Sequence, residues 1–213
     1  MLNKMAISLA QSFYAQSGNK YDEDDIELYA YGLVSFLSTI FEIFAVLLWG
    51  IIVGRMFETI SFFVSFIPLR SFAGGYHART IPRCFLILLI IYALNLAVIR
   101  YTPYSLTNYV SLMFLSISAF PILKYSPVAD VNKPIGPIQR KEFRKKSLII
   151  FFSQALIIVI VGGFCMITSK YGLVIAEKIP YICLSFAIGQ LTASGSLVAA
   201  KIHRVRGGAI NEC

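Results

Sequence analysis

The sequence predicts an all-α integral membrane protein of about six transmembrane helices, preceded by an amphipathic helix, with both termini in the cytoplasm. Three observations predict it. Hydrophobic residues make up 57% of the 213 and charged residues only 14%, whereas about a quarter of a soluble domain is charged. Long apolar runs recur at 26–53, 56–69, 84–99, 105–123, 147–168 and 180–200, and a bilayer-spanning helix needs ~20 such residues. The basic residues also divide unequally. With six spans and an inner N-terminus, Arg55, Arg100, Lys170 and Lys178 fall outside and the other fifteen of the 19 Lys and Arg fall inside, the bias that cytoplasmic loops show.

Taken in order, residues 1–20 place Leu2, Met5, Leu9 and Phe13 on one helical face, which suits a helix lying along the membrane surface and equally a frayed N-terminal helix. This stretch lacks the apolar core and cleavage site of a secretory signal. The acidic residues from Asp22 to Asp25 mark the entry to the first helix, where negative side chains favour the helix N-terminus. Residues 26–123 form a four-span bundle. Its second and third runs are short enough to be re-entrant segments instead, which would put their connection outside or within the bilayer. Residues 124–146 carry seven basic residues with Pro127, Pro134, Gly136 and Pro137, predicting an ordered or extended cytoplasmic loop rather than a helix. Two spans over 147–200 and a basic tail over 201–213 complete a single membrane domain.

The net charge of +8 is accounted for by topology and contact with membrane lipid, so no nucleic-acid partner is expected. Cys84, Cys165, Cys183 and Cys213 are scattered, and His77 and His203 are the only histidines. This pattern predicts free thiols, with no disulfide, metal site or cofactor. Glu42, Glu58, Asn95 and Gln190 lie inside the predicted spans. Polar groups at that depth face a bundle interior or a wet cavity. They could serve packing, catalysis or a transport pathway.

The connection between the second and third spans, residues 70–84, carries the most chemistry. Gly74 and Gly75 permit backbone conformations closed to other residues and a close approach of a substrate strand. Pro82 suits the first turn of a new helix, which puts Cys84 in that turn. A thiol at a helix N-terminus near Arg79 and Arg83 has its pKa lowered from ~8.5. The resulting thiolate attacks a peptide carbonyl, and a histidine within ~3 Å protonates the departing amine. Seven residues on one unbroken helix would separate His77 from Cys84 by ~10.5 Å, so a dyad requires the chain to turn between them. The plain alternative is a cysteine serving as a small hydrophobe at a helix start.

Arg70, Gly74, Gly75, Tyr76, His77 and Ala78, then Cys84, followed by Tyr125, Ser126, Pro127, Asp130, Asn132, Lys133, Pro134 and Ile135, resemble the accessory gene regulator B (AgrB) family of quorum-sensing, peptide-processing membrane proteases. The resemblance implies a cysteine endopeptidase of the bacterial cell membrane, with His77 and Cys84 catalytic and Arg70, Gly74 and Gly75 supporting. It implies as substrate a short precursor peptide with an acidic C-terminal tail, cleaved and cyclised to a thiolactone or lactone, and a homodimeric enzyme. Arg79, Arg83, Lys133, Arg140 and Lys141 are the candidates to bind that tail. No third catalytic residue is assigned. A small transporter using the intramembrane acids is the main competing class, and a non-enzymatic scaffold the second.

Overall fold

A computed structural model of the chain describes the backbone of residues 23–75, 81–128, 136–170 and 178–210, and side chains within 36–75, 82–128, 136–167 and 178–202. Among the described residues there are six helices: α1 Glu23–Ile52, α2 Met56–Ala73, α3 Ile81–Tyr101, α4 Tyr104–Tyr125, α5 Pro137–Lys170 and α6 Ile179–Ile210. Five of them, α2 to α6, are long and apolar enough to cross a membrane, and the described part of α1 adds a shorter apolar stretch at Phe36–Ile52. The all-helical, membrane-spanning class read from the sequence is therefore the class observed. The amphipathic segment 1–20 lies outside the described residues.

The second run, the shortest in the sequence, becomes an 18-residue helix, ~27 Å long at 1.5 Å per residue. Its final turn, Arg70–Ala73, is helical although less apolar than the run before it. The larger departure from expectation is at α5, which begins at Pro137, ten residues before the predicted span. Pro137 acts there as a helix starter rather than a breaker, because the first helical position has no amide bond to lose. The residues after it, Gln139 to Lys146, are mostly good helix formers. The extension is held by Phe143, whose ring meets Phe72 at the end of α2 edge-on at 6.1 Å.

α6 lies at the centre of the bundle. It packs most extensively on α2 and α4, and also on α3 and α5, while α1 packs against α2 and α3. The close approach of α6 to α2 depends on Gly189, where a Cβ would collide with the Phe62 carbonyl and the Ser65 side chain. Phe62, Leu69, Tyr92, Leu184 and Leu197 are fully buried between these helices, whereas Phe36, Phe44, Ile90, Leu94, Ile117, Leu156 and Ile160 are exposed. Apolar side chains facing outward in this number suit contact with lipid tails.

The polar residues inside the spans are mostly tied across helix interfaces. Pro68 lies within α2 and cannot donate to the carbonyl of Val64. Gln154 of α5 supplies the missing donor, its Nε2 lying 3.3 Å from the Val64 oxygen and 3.2 Å from that of Ser65. Gln190 of α6 in turn donates to Gln154 Oε1 at 3.1 Å. Asn95 donates to the Ser185 hydroxyl at 3.1 Å, and that hydroxyl also donates to the Glu58 carbonyl at 2.7 Å. At the first turn of α2, Arg55 pairs with Glu58 at 2.8 Å. Glu58, Asn95 and Gln190 are almost wholly buried, and the side chains of Asn95 and Gln190 join helices in the way polar side chains do in lipid.

Candidate active site

Cys84 is the fourth residue of α3, in its first turn, with Pro82 two positions before it. The free amides of that turn give the helix end a partial positive charge. Cys84 is half-buried. Its thiol donates a hydrogen bond to the carboxylate of Glu42 on α1, and that carboxylate also lies in the field of the Arg70 guanidinium at the end of α2. Three helices thus bring a thiol, an acid and a cation together. The side chains on either side hold the register, with the Phe41 and Phe85 rings 5.9 Å apart and the Arg70 guanidinium 5.3 Å from the Phe66 ring centre.

The chain leaves α2 through a tight exit. The Gly74 amide donates to the Arg70 carbonyl at 2.9 Å, and Gly74 adopts φ +80, a conformation that a Cβ strains. Gly74 also forms a parallel bridge with Val128, and the Val128 amide donates to the Ala73 carbonyl at 3.0 Å. A Cβ on Gly74 would strike the Val128 carbonyl. The next residue, Gly75, is buried against Ser196 of α6. The two separated stretches that carry the family resemblance therefore meet at this point of the fold.

His77 and Arg79 lie in the connection between the end of α2 at Ala73 and the start of α3 at Ile81, outside the described residues, as does Lys133. Arg83 is exposed beside Cys84, and Arg140 and Lys141 are exposed at the start of α5. Other cations at this end of the bundle sit on aromatic rings. Lys201 lies 4.0 Å from the Tyr125 ring centre, Lys124 lies 5.1 Å from that of Phe120, and Lys146 lies 5.8 Å from that of Phe72. In the sequence, Lys124 and Lys146 belong to a basic stretch suited to topology, anionic lipid or an acidic tail, and Lys201 counts toward topology. Glu42 stands out in the sequence as a charge within an apolar run, open to a packing, catalytic or transport role. The partner of that charge was not readable. Cys165 and Cys183 are buried away from these groups, on α5 and α6.

Helices of this length and apolarity, with a thiol, an acid and a cation joined at a tight glycine exit, define a multi-pass helical membrane protein with one concentrated polar site. The chain belongs to the family described as Accessory gene regulator B, whose profile matches residues 3–193. Among curated relatives, a putative AgrB-like protein 2 of Clostridium perfringens is 28% identical over 59% of this chain and 61% of its own length. The accessory gene regulator protein B of Staphylococcus intermedius is 31% identical over 41% of this chain and 46% of its own length. A putative AgrB-like protein of Halalkalibacterium halodurans is 24% identical over 100% of this chain and 98% of its own length. The chain thus spans about three-fifths of the first of these relatives and nearly all of the last. No solved structure matches the chain.

Proposed function

We propose that this accessory gene regulator B family member is a membrane-embedded cysteine endopeptidase of quorum sensing, acting at the cytoplasmic side of the bacterial cell membrane. Its substrate is a short precursor peptide with an acidic C-terminal tail. The observation that carries the reading is the placement of Cys84 in the first turn of α3, hydrogen-bonded within a polar cluster that also contains Arg70.

In this reading the Cys84 sulfur attacks the carbonyl that joins the future signal to the tail. His77 protonates the departing amine, and the peptide remains on the enzyme as a thioester. A thiol or hydroxyl within the peptide then attacks the thioester and closes the ring. Exchange of one thioester for another is nearly isoenergetic, so loss of the tail and removal of the product draw the reaction forward. Water must be kept from the acyl-enzyme, because hydrolysis would yield a linear peptide. The membrane boundary supplies that shelter. The cations of the same end, among them Lys124, Lys146 and Lys201, offer an acidic tail an attractive surface.

The transporter alternative draws no comparable support, since Glu58 is buried and paired with its near neighbour Arg55, and Asn95 and Gln190 are buried with partners across helix interfaces. The test is co-expression with a precursor, followed by mass spectrometry for cleaved peptide and for an adduct on Cys84. Cys84→Ala should insert normally and leave the precursor intact. Persistent cleavage by that variant would refute the assignment.

A further inference from the structure

We propose that Glu42 is a catalytic residue, the acid–base partner of Cys84, with Arg70 as its counter-ion. The inference rests on the cysteine endopeptidase reading and adds to it a residue from a helix far from the loop in sequence.

A carboxylate within an apolar helix is costly and persists where it has partners. Glu42 is only 8% exposed, while its neighbours Phe41 and Phe44 are exposed on the outer face of the bundle. Both partners of its carboxylate belong to the candidate site: the Cys84 thiol and the Arg70 guanidinium, each from a different helix. The Phe41–Phe85 contact, between the residues adjoining Glu42 and Cys84, fixes the two helices in this register.

The arrangement suits proton transfer in a medium of low dielectric. If the thiol gave its proton to a neutral imidazole, two new charges would form and separate. If it gives its proton to Glu42, one negative charge moves from an oxygen to a sulfur beside it, with Arg70 near throughout. The net charge of the cluster is unchanged.

The proton balance then closes over the cycle. In the first half, the Cys84 S–H proton passes to Glu42 and the thiolate attacks the carbonyl. The C–N bond breaks and the amine takes its proton from a His77 imidazolium. In the second half, the peptide's own thiol or hydroxyl gives its proton to His77 and attacks the thioester. The Cys84 sulfur leaves and recovers its proton from Glu42. Each residue ends in the state in which it began.

The test uses the full chain in membranes without substrate. Site-resolved mass spectrometry follows iodoacetamide labelling of Cys84 across pH. Glu42→Gln keeps the shape but removes both the charge beside the sulfur and the oxygen that takes its proton. Labelling reads only the ionised thiol, which a neighbouring carboxylate disfavours, so it should be as fast as in the wild type or faster. In the presence of precursor, cleavage by Glu42→Gln should nonetheless fall about a hundredfold, and Glu42→Asp should fall between the two. Cleavage at the wild-type rate in Glu42→Gln overturns the proposal, as does a parallel loss of labelling and cleavage, which marks a structural role; where Glu42→Gln fails to insert, wild-type cleavage by Glu42→Asp overturns it instead. Cleavage surviving Cys84→Ala would instead overturn the endopeptidase reading.

Discussion

At Gly74 the chain excludes a side chain for two separate reasons, a φ of +80 and the Val128 carbonyl lying where a Cβ would be. Gly74→Ala should therefore cost about 1–3 kcal/mol at this turn and misplace the connection that follows. Precursor cleavage should fall at least tenfold with insertion retained, and a variant that cleaves at the wild-type rate would show that the turn does not govern the site. Residue-level features set by local chemistry were the ones legible in the sequence. Pro82 announced a helix start, and Cys84 lies in the first turn that follows it. The bond between Glu42 and Cys84 was not legible, because it depends on how α1 rotates against α3, and neither helix records its rotation in a local pattern. His77, Arg79 and Lys133 stand where the sequence left them, as candidates on the connections.

Among the helices, α2 shows how a proline is accommodated within a bilayer. Pro68 leaves the Val64 carbonyl without its helical donor, and Gln154 restores one from α5. Gln154→Leu should leave that oxygen bare and cost about 1 kcal/mol. The check is the thermal midpoint of the purified protein in detergent. A double variant with Pro68→Ala should recover part of the loss, because the helix then supplies its own donor, and no recovery would mean that the two residues are not coupled. The start of α5 shows where reading by element fails. Pro134, Gly136 and Pro137 all signal a break, but Pro137 is the first residue of α5, and only the residues after it distinguish a starter from a breaker.

For the molecule as a whole, the apolar runs and the imbalance of basic residues carried most of the prediction. Arg55, Arg100, Lys170 and Lys178 all lie at or next to helix ends, alternating along the chain with the ends that bear Arg70, Arg83, Lys124 and Arg140 and with Lys201, where the apolar part of α6 finishes. The orientation this implies can be checked with single cysteines introduced at these ends in a variant whose native thiols are removed. Lys178→Cys should react with an impermeant maleimide on intact cells, while Arg140→Cys should react only after the membrane is opened. Labelling of Arg140→Cys from outside would reverse the topology and remove the cytoplasmic substrate.

The central position of α6 bears on the order in which the protein can be built. Of the described helices it is made last, yet it contacts α2, α3, α4 and α5 and supplies Ser185 to Asn95 and Gln190 to Gln154. While synthesis is under way, the earlier helices wait in the membrane with polar side chains still seeking partners, and the exit of α2 lacks its wall at Ser196. The fold thus delays assembly of the candidate site until α6 arrives. A ribosome stalled before Ile179 would leave a chain open to membrane quality control, with its thiol in place and its site incomplete.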